Sequence, residues 1–302
     1  MNRRHVLSLF AAALLAACSS TPPVTPDAVP KPLPQAQPVK PLKIGIALGG
    51  GAARGFAHIG VIKMLEANGI HLDVVAGTSA GSVVGSLFAS GLDAFQLQEN
   101  SFSLDEAKIR DVSLMSGGLV KGQKLQDYVN GLIGGRPIEK LARPFAAVTT
   151  ELETGRRTVF VKGNTGMAVR ASSSIPGVFE PVLINGKKYV DGGVVSPVPV
   201  DAARELGADI VIAVDISARP DGKSPTSMLG IASQSIMIMG QKLGEQELAR
   251  ADVVIRPRVG KIGPADFDQK NTAILEGEKA ALAALPQIRA RIEAKRLAAS
   301  IK

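Results

Sequence analysis

The sequence predicts an α/β fold in which helices pack on a central, mostly parallel sheet. Three observations predict it. Residues 43–90 run strand, glycine loop, helix, strand, Gly-X-Ser-X-Gly turn, helix, which is a parallel βαβα start. Residues 210–216 form an apolar run broken only by Asp215, the pattern of a strand covered on both faces. Hydrophobic residues make up 45% of the 302 and aromatics only 4%, with no Trp. The core is therefore aliphatic, which suits helices packed on a parallel sheet.

The chain opens on Arg3, Arg4 and His5, followed by an apolar run over residues 6–17. This is a secretory signal pattern, too short to span a membrane comfortably. The run ends Leu15-Ala16-Ala17-Cys18, which resembles the bacterial lipobox, whose cysteine is diacylated and becomes the new N-terminus. That resemblance implies a lipoprotein signal peptide over residues 1–17 and lipidation at Cys18. The alternative is an ordinary signal peptide with an incidental cysteine. Ser19 resembles the outer-membrane sorting class, so the expected location is the cell envelope, lipid-anchored at the outer membrane and facing the periplasm. Several acyl chains on one cysteine anchor stably where one chain is marginal. Cys18 is the only cysteine, so no intramolecular disulfide forms.

Residues 18–42 hold eight prolines and no hydrophobic period, and read as a stiff linker behind the acylated cysteine. Residues 43–302 are the expected folded domain. The formal charge is +8, less Arg3 and Arg4 of the leader. The bases are spread out with no basic-aromatic patch, so a solvated surface is expected and nucleic acid is not a partner.

The first motif is Gly49-Gly50-Gly51-Ala52-Ala53-Arg54-Gly55, between a strand at residues 44–48 and a helix at residues 56–67. A dinucleotide fingerprint fails here. Its sixth position is Arg54, and no ribose-binding acid ends the second strand, which reads Val74-Val75-Ala76-Gly77. The other reading is an oxyanion hole, in which adjacent glycine N–H groups converge on a developing negative charge. Arg54 either braces that loop, meets a phosphate head group or pairs at the surface.

The second motif is Gly77-Thr78-Ser79-Ala80-Gly81, between a strand expected over residues 70–76 and a helix over residues 82–90. This is a nucleophile elbow: the glycines permit a sharp turn, and Ser79 stands at its tip at a helix N-terminus. A serine needs a base. The histidines are His5, His58 and His71, and none follows Ser79, which excludes the Ser–acid–His order of an α/β-hydrolase. Structural roles are expected for His58 and His71. The base is then a carboxylate or a lysine. Asp191-Gly192-Gly193 follows a hairpin whose two-residue turn is Asn185-Gly186. On its own this fragment reads as an Asx turn closing the hairpin. With Ser79 unpaired, Asp191 stands out as the partner of a Ser–Asp dyad, its basicity raised by desolvation.

Taken in order, the glycine loop, the elbow and Asp191-Gly192-Gly193 closely resemble the patatin-like phospholipases, bacterial branch, over roughly residues 43–215. The resemblance implies a three-layer α/β/α sandwich with a mostly parallel sheet. It implies a lipid acyl hydrolase of phospholipase A or lysophospholipase type, with Ser79 as nucleophile and Asp191 as general base. Oxyanion binding falls on the loop of Gly49, Gly50, Gly51, Ala52 and Arg54, with donors chiefly around Gly50, Gly51 and Ala52. No metal and no cofactor is implied. The expected partner is membrane lipid, met as substrate and through acylated Cys18. Two rivals are a non-catalytic envelope lipoprotein that scaffolds or binds lipid, and a soluble esterase for small substrates.

Elsewhere the expectations are plainer. Residues 101–118 are a flap or a surface connection. Glu151 and Glu153 are solvated loop charges. Residues 165–174 form a helix ending in small residues. The Met-rich helix at residues 227–248 is a core element, with an acyl-pocket lining as the sharper reading. The C-terminal helix, from about residue 271, presents a solvated basic face, with membrane contact as its sharper reading.

Overall fold

The computed structural model describes residues 41–300, apart from 103, 105–110, 112–119, 220–221 and 223–224. Cys18, the expected signal peptide and nearly all of the linker lie outside the described residues, as does most of the expected flap. The strands are β1 (Ile44–Leu48), β2 (Val74–Thr78), β3 (Phe145–Glu151), β4 (Arg157–Phe160), β5 (Val182–Ile184), β6 (Lys187–Asp191), β7 (Ile210–Val214) and β8 (Val253–Ile255). They form one sheet in the order β5-β6-β3-β2-β1-β7-β8, with β4 paired to β3. The run from β3 to β8 is parallel, and β4, β5 and β6 add antiparallel pairs.

The helices are α1 (Phe56–Ala67), α2 (Ala80–Ala89), α3 (Ala94–Phe102), α4 (Gln123–Leu132), α5 (Thr165–Ser172), α6 (Val200–Glu205), α7 (Met228–Leu248) and α8 (Lys270–Ser300). Strand alternation sorts them into two layers. Ile44, Ile46 and Leu48 pack with Ile62, Phe88 and Ile274 of α1, α2 and α8. Ala47 packs on the other face with Val74, Ala146, Val211 and Ala203 of α6. This second face is built of small residues, so α6 lies close to the sheet. A Cβ on Gly45 would meet Ala208 Cβ at 2.6 Å. The expected α/β/α sandwich is the observed one.

Helix α8 crosses α1 with backbones almost touching. A Cβ on Gly60 would meet the Ile274 carbonyl at 2.0 Å, and one on Gly277 the Ala57 carbonyl at the same distance. Nothing in the local pattern around Gly60 or Gly277 announces this.

Several expectations are corrected. β2 starts at Val74 rather than residue 70, because its pairing with β1 starts at Val74 opposite Gly45. Asp73, just before it, accepts the Ile44 N–H at 2.7 Å. α2 starts at Ala80, directly after Ser79, and α5 stops at Ser172. The 182–191 hairpin turns through Asn185 (φ 49°) and Gly186 (φ 78°), the two left-handed residues of a type I′ turn. Glu151 is not a solvated loop charge. It ends β3, is buried, and is held by Lys187 Nζ at 3.0 Å and Arg156 at 3.5 Å. The basic face of α8 is partly spent on the domain: Arg291 Nε donates to Asp252 Oδ1 at 2.9 Å. The Met-rich helix α7 joins the core at its C-terminal end, through Leu248, and not along the rest of its length. Met228, Ile231, Ile236, Ile238 and Met239 all point outward.

Candidate active site

Strand β3 brings the site together. Its first half pairs in parallel with β2, ending at Thr78 opposite Val148. Its second half pairs antiparallel with β6, ending with Asp191 opposite Thr149. The chain therefore leaves β2 into Ser79 beside the point where β6 delivers Asp191. Gly192 keeps this junction tight, since a Cβ there would meet the Val148 carbonyl at 2.2 Å.

Ser79 sits at φ 54°, ψ −125°, a strained conformation for a residue with a side chain. The fold fixes it from two sides. Its N–H donates to Ser172 Oγ at 3.0 Å, and its carbonyl accepts the N–H groups of Ser82 and Val83. Its hydroxyl caps no helix N–H, so it is left for chemistry at the positive end of α2.

Asp191 is buried. Its Oδ1 accepts the Gly193 N–H at 2.7 Å, which is the Asx turn the fragment suggested. Its Oδ2 is buried with no partner in hydrogen-bond geometry among the described residues. Burial pushes its pKa from 3.8 up to about 6, opposed by the Ser79 hydroxyl and the Gly193 N–H. Ser79 is thus near enough to act on the carboxylate without a closed hydrogen bond, a looseness common where bonds tighten on substrate binding. At neutral pH most of Asp191 is ionised and able to accept a proton.

The glycine loop lies against Ser79. A Cβ on Gly50 would come within 3.2 Å of Ser79 Cβ, and one on Gly55 within 2.7 Å of Ala80 Cβ. Its donors divide differently from expectation. The Gly49 N–H goes to the Val214 carbonyl and the Gly50 N–H to the Pro197 carbonyl, both at 3.0 Å. Neither is left for an oxyanion, so the expectation for these two is corrected: they anchor the loop. The N–H groups of Gly51 and Ala52 have no acceptor among the described residues. Ala52 is held at φ 51°, a second strained residue beside the first. Arg54 braces the loop, with Nε donating to the Gly51 carbonyl at 3.0 Å. Burial lowers its pKa, opposed by Asp215.

Ser172, Ser174 and Glu247, to which the sequence assigned no role, hold these parts together with His58, whose structural role was expected. His58 Nε2 bonds the Gly49 carbonyl at 2.8 Å, and burial lowers its pKa to about 4, so it is a neutral strut with Nε2–H as donor. Ser172 accepts from Ser79 and donates to the Val148 carbonyl at 2.6 Å. Two residues on, the Ser174 carbonyl accepts the Asp191 N–H at 2.8 Å. The end of α5 therefore holds both Ser79 and Asp191, and its run of small residues was the only signal. Glu247 of α7 accepts from Ser196 Oγ at 2.5 Å and from the Val198 N–H at 2.8 Å. That loop in turn takes the Thr78 hydroxyl on the Ser196 carbonyl at 2.8 Å. A cleft of about 800 Å³ between β8 and α8, lined by Arg256, Arg258, Lys261 and Lys279, contains neither Ser79 nor Asp191.

The family model of the patatin-like phospholipases matches residues 46–204, a stretch that contains the loop, the elbow and Asp191. The chain belongs to the patatin-like phospholipase family. Among curated relatives, an NTE family protein of Mycobacterium tuberculosis is 37% identical over 182 residues, covering 60% of this chain and 51% of that protein. Lysophospholipase NTE1 of Pyricularia oryzae is 33% identical over 184 residues, covering 59% of this chain and 12% of that protein. The chain spans about half the length of the first of these relatives. Among solved structures, VipD from Legionella pneumophila superposes with a TM-score of 0.54 at 15% identity, over 82% of this chain and 67% of that one. That likeness concerns the patatin-like fold alone.

Proposed function

We infer that this chain is a serine hydrolase of lipid carboxylic esters, of phospholipase A or lysophospholipase type. The observation that carries the reading is the meeting of Ser79 with Asp191, whose Oδ2 is buried without another donor. Asp191 takes the Ser79 proton as Oγ attacks the ester carbonyl. The N–H groups of Gly51 and Ala52 receive the tetrahedral oxyanion. The carbonyl re-forms, the alcohol leaves with the proton, and an acyl-serine remains. Water, activated by Asp191, then releases the fatty acid and restores the hydroxyl. Family membership and the lysophospholipase relative support lipid as the substrate class.

The test is hydrolysis of a phospholipid, a lysophospholipid and a short-chain ester by wild type, Ser79→Ala and Asp191→Asn. Turnover by wild type and its loss in both variants, with circular dichroism unchanged, is expected. Full activity in Ser79→Ala would sink the dyad. Wild type inert on every ester and unlabelled by a fluorophosphonate would point to a lipid-binding scaffold.

The same reading puts the chain at the outer membrane, facing the periplasm, through acylated Cys18. It rests on the Leu15-Ala16-Ala17-Cys18 sequence. Metabolic labelling with a radioactive fatty acid is expected to mark the wild-type chain and not Cys18→Ser. An unlabelled wild-type chain would remove this part.

A further inference from the structure

Helix α7 is built inside out. Along its middle, the face it turns to the domain carries small residues, with Glu247 and Leu248 buried at its C-terminal end. A Cβ on Gly240 would lie 4.0 Å from the Gly193 carbonyl, and one on Gly244 3.5 Å from Pro197 Cγ. The face it turns outward carries the large apolar side chains. Met228, Ile231 and Met239 are 85%, 53% and 57% exposed, and Ile236 and Ile238 flank them in the open. Met228, Ile231, Ser235, Met239 and Lys242 follow helical spacing and form one outward stripe. An ordinary surface helix shows the opposite arrangement. Single exposed apolar residues are normal, but a row of them marks a surface that meets something.

Two observations say what it meets. The patch adjoins the site, because Gly193 follows Asp191 by two residues and Val194, next along, is itself exposed. Within the helix, the stretch from Met228 to Gly244 contains no acid and one lysine, Lys242, whose Nζ pairs with Glu245 Oε2 at 3.1 Å in the next turn. An apolar stripe almost free of net charge suits a helix lying in the plane of a bilayer interface. We propose that the outward face of α7 docks this chain on a phospholipid surface, beside the loop that carries Asp191. The choice of occupant rests on the lipid-hydrolase reading. The docking itself does not require turnover.

The chain has no tryptophan, so one can be placed as a reporter. The experiment uses the full chain with Cys18→Ser, so that no acyl group contributes. In this background Met239→Trp is mixed with vesicles of phosphatidylcholine and phosphatidylglycerol, beside Phe95→Trp, whose position on α3 is also exposed. A blue shift of emission from position 239 and none from position 95 is expected. Ile231→Ser with Met239→Ser is expected to weaken vesicle flotation at least about tenfold, roughly 1.4 kcal/mol. The same double variant keeps hydrolysis of a soluble short-chain ester. Ser79→Ala is expected to float like its parent. Active protein whose Met239→Trp emission does not move overturns the docking and leaves the hydrolase. Docked but inert protein overturns the hydrolase and leaves the docking. A wild-type dimer in sedimentation that the double serine variant abolishes would assign the face to a second copy and overturn the proposal.

Discussion

Asp191 carries the pH behaviour expected of the site. Its pKa of about 6 comes first from burial, with the Ser79 hydroxyl and the Gly193 N–H pulling it back. As a general base it works only when ionised. kcat/KM for a short-chain ester is therefore expected to rise with pH along a limb near 6. A pH–rate profile checks this, and a limb near 3.8 would mean that the carboxylate is solvated when the enzyme works. Ser172 is the second residue to test. It holds the N–H of a nucleophile kept at φ 54°. One such hydrogen bond is worth about 1 kcal/mol, so Ser172→Ala is expected to lower kcat about fivefold with little change in KM. Ser172→Thr keeps the hydroxyl and should restore most of the rate. An unchanged kcat in the alanine variant would reduce Ser172 to a packing role.

At the scale of elements, α7 is tied to the site by one buried acid. Glu247 gathers Ser196 Oγ and the Val198 N–H, and the Ser196 carbonyl takes the Thr78 hydroxyl. Burial raises the Glu247 pKa from 4.5 to about 7, against the hydrogen bonds that lower it. For an acid raised in the folded state, the folded form binds the extra proton. The stability tied to that proton is full below 4.5 and is lost as pH rises through about 7. The loss is on the order of 3 kcal/mol. Thermal unfolding of wild type should therefore decline across this window, and in Glu247→Gln the decline should be shallower. Equal slopes in the two proteins would mean that Glu247 is better solvated than its contacts suggest. Asp191 acts in the same direction between 3.8 and about 6, so a residual slope in Glu247→Gln is expected.

At the scale of the whole molecule, the C-terminal helix completes the first helical layer. It does so through two glycines whose missing side chains let α8 and α1 touch at the backbone. Gly277→Ala gains about 1 kcal/mol of helix propensity. It also drives a methyl group into the Ala57 carbonyl at 2.0 Å. Backbone cannot step aside as a flexible side chain would, so overlap wins, and a net loss of roughly 2–3 kcal/mol is expected. Urea unfolding measures it as a lower midpoint at unchanged slope. A raised midpoint would show that the crossing has room.

The sequence by itself determined the βαβα start with its parallel sheet and the Gly-X-Ser-X-Gly elbow, and it singled out Ser79 and Asp191 as the pair to test. Each of these depends on local rules. Apolar runs fix strands, glycines fix turns, and a serine without a following histidine needs another base. Its readings failed where a residue's role depends on chain far away. The Gly49 and Gly50 N–H groups look free in the loop but are taken by Val214 and Pro197 carbonyls brought in by other elements. Glu151 looks like a loop charge until Lys187 and Arg156 close on it. The Met-rich helix looks like core because periodicity says which residues share a face, and not which way that face turns. Only the tertiary structure decided that α7 presses glycine onto the catalytic loop and leaves methionine and isoleucine outside. It also decided that β3 serves β2 and β6 in succession, opposite Thr78 and Asp191. Strand pairing joins residues distant in the chain, and neither composition nor spacing carries a register.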